Sequence, residues 1–119
     1  MSKYKNLDVW IFSMETVEEV YKITQAFPKE EKYGLTSQTN RAAVSIPVNI
    51  AEGIGRNHKK DTIQFLHVSR GSAYEVETLL SIALRIRLID DLVYNKISEI
   101  IDRNIRVING FINYFENKL

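Results

Sequence analysis

Apolar residues recur three and four positions apart along almost the whole of this 119-residue chain, and no other feature constrains its fold as strongly. Runs in which apolar and polar residues alternate, as they do in half-buried strands, are scarce. The chain also contains only two prolines and five glycines, so few positions interrupt a helix. The pattern therefore predicts an all-α protein.

Four helical segments follow from this periodicity. Their predicted bounds are about 6–26, 36–54, 57 or 58 to 86, and 91–118. Short polar links join them, and helices with short connections pack as antiparallel neighbours. We therefore predict a single domain, residues 1–119, that folds as an antiparallel up-and-down four-helix bundle.

Two of the segments show a clear apolar stripe. The predicted stripe of the first segment is Leu7, Trp10, Met14, Val17, Tyr21 and Thr24. The predicted stripe of the fourth is Val93, Ile97, Ile100, Ile101, Ile105, Ile108, Phe111, Ile112, Phe115 and Leu119. Asn6 is the candidate N-cap of the first helix.

The second segment carries signals at both ends and one inside. Thr36 or Ser37 is the candidate N-cap. Gly53 and Gly55 are expected to close the helix, since glycine tolerates left-handed backbone. Pro47 lacks a backbone N–H, so we expect a kink or a break around it.

Composition excludes several classes of function. The chain has no cysteine, and therefore no disulfide, no thiol nucleophile and no thiolate metal site. His58 and His67 are the only histidines, and neither follows a glutamate by three positions, as di-metal carboxylate bundles require. We expect no cofactor and no metal.

The sequence also bears on location. Its first residues are polar and lack the apolar core of a signal peptide. Apolar runs elsewhere are short and broken by charge, so we expect no membrane span. The expected location is the cytoplasm.

The net charge of +1, from 16 basic and 15 acidic residues, gives no chain-wide basic field. A nucleic-acid partner would therefore need basic residues concentrated on one surface. The densest basic cluster lies between the second and third segments, and its members are the candidate nucleic-acid-binding residues: Arg56, His58, Lys59 and Lys60. Such a cluster binds phosphate without sequence preference. A solvated turn is the alternative, and the commoner fate of such a run.

Polar residues recur along the second segment at intervals of three or four, and the third segment offers partners for them. The candidate structural or interface residues are Arg41, Ser45, Asn49, Glu52, Arg70, Ser72, Glu75 and Glu77. We expect Arg41 or Arg56 to pair with a glutamate of the third segment, either Glu75 or Glu77. A second pair is expected between Glu52 and Arg70, since paired charges fix helix register.

The same glutamates could in principle form an acid/base pair for catalysis. The sequence offers no cysteine nucleophile, no convincing histidine base and no phosphate-binding glycine loop to support one. Structural ion pairing is therefore the favoured interpretation, and we predict that the chain is not an enzyme.

The second and third segments carry more apolar surface than one core face needs. Val44, Val48 and Ala51 extend beyond the isoleucine stripe of the second segment. One explanation is that these two helices are the most central of a monomeric bundle. We favour a subunit interface, since small residues permit close helix approach. Those small residues are Ala42, Ala43, Ala51, Ser69, Ser72 and Ala73.

A family resemblance extends over nearly the whole chain, and five runs of residues carry it: 27–28, 33–38, 41–53, 65–66 and 70–78. Through them the chain resembles the four-helix-bundle family of 23S rRNA intervening-sequence proteins. The fourth segment matches only in pattern, through residues 109–112. Asn57-His58 stands where the family often has a serine to cap the third helix, and Asn57 can do the same.

The resemblance implies a bundle that assembles as a homopentameric ring. It also implies kinship with the accessory variability protein of diversity-generating retroelements, which binds nucleic acid through a basic surface and contacts a reverse transcriptase. The implied partners are further copies of this chain, RNA or DNA, and a protein encoded nearby. We therefore predict a non-catalytic oligomeric adaptor that binds nucleic acid. The alternative is a protein-interaction scaffold without nucleic-acid affinity.

Overall fold

The computed structural model describes residues 3–118, which form four α-helices, two short 3₁₀ helices and no strand. The α-helices are α1 (Asp8–Thr24), α2 (Leu35–Gly55), α3 (Lys59–Arg85) and α4 (Asp91–Glu116). One 3₁₀ helix, Lys3–Asn6, precedes α1, and the other, Lys29–Glu31, lies between α1 and α2. The prediction of an all-α protein with four helices is confirmed.

Buried residues from all four α-helices form one hydrophobic core. The stripe predicted for α4 supplies its buried isoleucines: Ile97, Ile101, Ile105, Ile108 and Ile112. Leu119, the last member of that stripe, lies outside the described residues. Asp90 caps α4 by accepting a 2.9 Å hydrogen bond from the backbone N–H of Val93. None of the described helices combines the length and the hydropathy that crossing a bilayer takes.

The stripe predicted for α1 is confirmed in part: Leu7, Trp10 and Val17 are partly buried and pack against the core, and Thr24 is buried. Met14 and Tyr21 are exposed, and the buried residues are Val9, Ser13, Thr16, Val20 and Thr24. The hydroxyls of Ser13 and Thr16 can be buried because each donates to a carbonyl one turn earlier, at 2.6 and 3.0 Å. Leu7, and not Asn6, is the N-cap of α1.

The start of α2 also corrects a prediction. Gly34 is its N-cap, and neither Thr36 nor Ser37 caps it. The Glu31 carboxylate accepts a 3.1 Å hydrogen bond from the backbone N–H of Leu35. A side chain of the preceding 3₁₀ helix thus accepts from the first N–H group of α2, a contact that the local sequence pattern does not reveal.

Of the kink or break predicted at Pro47, the break is wrong, since α2 continues through the proline. Pro47 is buried next to Ile46 and near Ile50, both fully buried. Tertiary packing around the proline outweighs the single backbone hydrogen bond that it forfeits.

Glycine is needed at position 53 for a reason other than the one predicted. No described glycine has a positive φ, and the left-handed residue after α2 is Asn57, with φ 52°. A Cβ on Gly53 would lie 2.7 Å from the Cβ of Phe65, a distance that real Cβ atoms do not reach. Glycine is therefore needed at this position because α3 approaches α2 too closely for a side chain.

Polar contacts bind α2 to α3 along their length. Thr62 donates to the Gly53 carbonyl at 2.7 Å, and Ser69 donates to the Ile46 carbonyl at 2.8 Å. The small residues offered above as an interface between copies are mostly buried inside this one chain: Ala42, Ala43, Ser69, Ser72 and Ala73. They account for the close approach of α2 and α3 within the chain. An interface between copies would therefore use other residues.

Candidate nucleic-acid interface

The four candidate basic residues lie where α2 turns into α3, and all four are exposed: Arg56, His58, Lys59 and Lys60. Only residues 56–58 separate the two helices. Asn57 reverses the chain there with its left-handed backbone, which asparagine adopts more readily than most residues. The tight turn concentrates the cations in one place, here called the basic end.

Two of these side chains have weak acidic neighbours. The Nε of Arg56 lies 3.4 Å from the Glu52 carboxylate, and the Nδ1 of His58 lies 4.0 Å from the Asp61 carboxylate. Both pairs are exposed, and exposed pairs contribute only about 0–1 kcal/mol. A phosphate can therefore compete for these side chains.

Lys59 and Lys60 follow at the first positions of α3. The Lys59 ammonium donates to the backbone carbonyl of Lys118, which ties the basic end to the end of α4. Lys60 makes no ion pair within residues 3–118.

The start of α3 adds a second source of positive potential. His58 is its N-cap, with extended backbone, and its side chain makes no capping hydrogen bond among the described residues. The first backbone N–H groups of a helix lack intrahelical acceptors and carry partial positive charge. They point toward the same end as the four side chains, so they favour an anion there.

An open cavity of about 730 Å³, here called the end cavity, adjoins the basic end. It lies between the start of the chain, the α2–α3 turn and the last turns of α4. Its apolar lining comes chiefly from Leu7, Ile54, Val107, Phe111 and Phe115. Its charged lining comprises Lys3, Lys59, Lys118 and a single acid, Asp8, and the His58 side chain also lines it.

Aromatic side chains from α4 accompany the lysines. The rings of Tyr114 and Phe115 meet edge to face, with centroids 5.1 Å apart. The Lys118 ammonium lies 5.7 Å and 5.8 Å from their centroids, within the range of cation–π attraction. Tyr114 is 60% exposed and can therefore contact a ligand.

Sequence reasoning found the α2–α3 turn but missed the residues that surround it. Lys3, Tyr114 and Lys118 are far from the turn in sequence, and only the fold brings them to the cavity. One signal could have found part of the group. Three aromatic residues, Phe111, Tyr114 and Phe115, lie close together shortly before Lys118.

Three of the candidate structural residues meet between α2 and α3. The hydroxyls of Ser45 and Ser72 lie 2.8 Å apart. The Asn49 side-chain amide donates to both the hydroxyl and the carbonyl of Ser45, each at 2.8 Å. This neutral network stands where the sequence predicted ion pairs.

The predicted ion pairs are wrong. Within residues 3–118 no salt bridge joins α2 to α3, and Arg41 and Glu75 are both exposed. Arg70 turns instead to α4, where it donates to the Asn109 side-chain oxygen at 2.8 Å. Glu52 pairs with Arg56, the residue that directly follows α2. Sequence spacing placed these residues on the correct helices but could not resolve which neighbour each side chain faces.

Glu77 has a different neighbour again. Burial, together with the charge of Asp102 and hydrogen bonding to it, raises the pKa of the Glu77 carboxyl above its ordinary value. No group of three or more potential metal ligands occurs among the described residues.

Together, the basic end and the end cavity offer cations, backbone donors and aromatic rings, which are groups suited to binding a polyanion.

The fold and this site define an all-α four-helix protein with a basic, aromatic-lined end. The family model of the 23S rRNA-intervening sequence protein matches residues 5–110, and the chain belongs to that family. A search of curated proteins gives no match.

One similar solved structure is a protein of unknown function from the S23 ribosomal protein family of Bacteroides thetaiotaomicron VPI-5482. The two chains superpose with a TM-score of 0.82 at 23% identity, over 88% of this chain and 95% of the other. At that identity the likeness concerns the fold.

Proposed function

We propose that this protein is a non-catalytic, oligomeric adaptor of the cytoplasm that binds RNA or DNA through the basic end. The observation that carries the proposal is the concentration of Arg56, Lys59 and Lys60 at one end of a chain whose net charge is only +1. Exposed cations bind phosphate because they release condensed counterions from the nucleic acid. The name of the family ties it to ribosomal RNA, which makes RNA the first probe to use.

The proposal includes the assembly of the chain. The four helices form an up-and-down antiparallel bundle. Contacts join Gly53 to Thr62 and Ser45 to Ser72, so residue numbers in α3 rise as those in α2 fall, which is in keeping with antiparallel helices. Copies of this bundle associate in a ring, for which a pentamer is the expected size. Each copy then adds its own basic end, and several weak sites acting together bind more tightly than one.

The surface proposed for this association is the α2–α3 outer face, defined here by Val44, Val48, Val68 and Ile82. All four side chains are exposed, and Val48 and Val68 are 56% and 48% accessible. The contact between Ile46 and Ser69 places these two valines at neighbouring levels of the two helices. Exposed apolar side chains at neighbouring levels, as Val48 and Val68 are, favour burial by a protein surface.

The test replaces three cations at the basic end at once, as Arg56→Ala, Lys59→Ala and Lys60→Ala. Binding to RNA, measured by gel shift at several salt concentrations, should be abolished while the mass in solution stays that of the wild type. The slope of log affinity against log salt should also flatten by about one for each phosphate contact removed.

The matched control removes three exposed cations from elsewhere on the chain: Arg85, Arg87 and Lys96. It changes the net charge equally, so a general loss of positive charge would weaken binding in both variants. An unchanged binding curve in the basic-end variant contradicts the proposal.

A second candidate function is a protein-interaction scaffold without nucleic-acid affinity. The observation that favours it is the α2–α3 outer face, which suits a different protein as well as another copy. Its partner would be a protein encoded nearby. Pull-down from host lysate with and without nuclease separates the two, since a partner retained after nuclease treatment supports the scaffold and one that is lost supports the adaptor.

A further inference from the structure

The end cavity has more in it than phosphate binding needs. Phosphate requires cations and N–H donors, which the basic end already presents on its surface. The cavity adds about 730 Å³ of space with an apolar floor that includes Phe111 and Phe115. A volume in this range is typical of pockets that hold a whole small organic group.

The lining indicates a group that is both flat and anionic. Three lysines line the cavity against one acid, Asp8, so an anion is favoured. Tyr114, Phe111 and Phe115 supply aromatic surface directly beside these charges. Stacking on aromatic rings with phosphates held by nearby cations is how proteins bind unpaired nucleotides.

Polar side chains at the cavity wall complete this set. Asn57 and His58 both line the cavity and offer donors and acceptors. Asn57 is fixed by the left-handed turn, so its position is set by the fold. The edge of a base, which carries its own donors and acceptors, can be matched there, whereas a paired base has that edge occupied.

We infer that the end cavity binds an unpaired nucleotide of the nucleic acid, with its base against the aromatic residues of α4 and its phosphates at Lys3, Lys59 and Lys118. This inference rests on the proposed function and specifies the substrate class as single-stranded or looped segments. Paired segments bind only to the outer cations of the basic end.

The test compares two RNA probes of equal length, a hairpin with 2-aminopurine in its unpaired loop and a fully paired duplex. The variant Phe111→Leu/Tyr114→Leu removes two aromatic rings but keeps apolar side chains and the charge. We expect its affinity for the hairpin to fall about fivefold or more, given what stacking contributes per base. Its affinity for the duplex should stay that of the wild type.

Two controls keep the outcome clear. Tyr33→Leu removes the most exposed tyrosine, 88% accessible, at the opposite end of α2, and should change neither affinity. Tyr114→Leu alone alters only an exposed side chain, so it decides the result if the double variant fails to fold. Binding of wild-type protein should also change 2-aminopurine fluorescence in the loop, and the change should be lost in the variant.

The outcomes separate this inference from the proposed function. Equal affinity for the two probes, unaffected by the loss of the rings but abolished by the loss of Arg56, Lys59 and Lys60, overturns the inference and leaves the proposed function standing. Retention of both probes by the variant without these three cations overturns the proposed function and, with it, the inference.

Discussion

The basic end and the α2–α3 outer face differ in both shape and chemistry, although α2 and α3 contribute to both. The basic end adjoins a cavity and combines cations with aromatic rings. The outer face presents exposed valines at its middle. The first suits a polyanion and the second suits an apolar protein surface. In the proposed function the basic end serves binding and the outer face serves association, and the substitutions below test each role.

The largest expected effect comes from charging the outer face with Val48→Glu and Val68→Glu. We expect the mass in solution, measured by light scattering, to fall to that of a single chain. RNA affinity should fall as well, because the basic ends no longer act together. Circular dichroism should remain helical, since both side chains are exposed.

The control for this variant is Leu92→Glu with Tyr33→Glu. These positions are 79% and 88% accessible and lie away from the outer face. The charge change is the same, so the oligomer should persist. If both double variants keep the wild-type mass, the outer face is not the interface.

A comparison of two glycines sharpens the difference between the regions. Gly53→Ala should destabilise the protein by about 1–3 kcal/mol, since the new Cβ would crowd Phe65 and overpacked positions typically cost this much. Gly71→Ala, on the exposed side of α3, meets nothing within 4 Å inside the chain. It should not destabilise the single chain. Each glycine substitution is introduced into the Val48→Glu/Val68→Glu variant, and urea unfolding measures the free energy of unfolding. Equal stability of the Gly53→Ala and Gly71→Ala proteins would contradict the close approach at Gly53.

The contact between α1 and α4 lies outside both regions and tests whether binding can be separated from stability. Asn104 is fully buried and donates to the Ser13 hydroxyl at 2.9 Å. Ser13→Ala leaves that amide unpaired, which should cost about 1–3 kcal/mol. RNA affinity at low temperature should be unchanged. Thermal unfolding measures the loss of stability, and Ser98→Ala, at a less buried site, is the control. Equally small effects of Ser13→Ala and Ser98→Ala would contradict a role for the buried Asn104–Ser13 hydrogen bond.

The smallest expected effect concerns Glu77, which lies on neither region. Its pKa is raised in the folded protein by burial and by Asp102, so the folded state holds this proton to higher pH than the unfolded state does. The contribution to stability is therefore greatest below the unfolded pKa and is lost as pH rises through the folded pKa. Glu77→Gln should remove this pH dependence.

Urea unfolding between pH 4 and pH 7 checks this prediction, with Glu99→Gln at an exposed site as the control. The wild type and the control should lose stability relative to Glu77→Gln as pH rises. A parallel pH dependence in all three proteins would show that the environment of Glu77 is not the cause.

Predictability from sequence differs between helices for a physical reason. The stripe of α4 was predicted well because its buried residues are large isoleucines at helical spacing, which determine a face by themselves. The core-facing side of α1 was predicted only in part, since it also uses Ser13 and Thr16, whose hydroxyls are satisfied by their own helix. Polarity alone does not reveal whether the hydroxyl of a side chain finds a hydrogen-bond acceptor within its own helix.

The candidate site was predicted in part for a related reason. A cluster of cations adjacent in sequence, Arg56 to Lys60, is visible without a fold. The end cavity is not, because it joins residues from the two ends of the chain. The partners of Arg70 and Glu52 were also beyond reach, since spacing gives the helix face but not the direction in which a long side chain turns.

Ultraviolet cross-linking of the wild-type protein to RNA, with the linked peptides identified by mass spectrometry, tests the central claim most directly. The account predicts cross-links in the α2–α3 turn, residues 56–60, and at the end of α4, residues 111–118. Cross-links confined to Val44, Val48, Val68 or Ile82 on the outer face would contradict it.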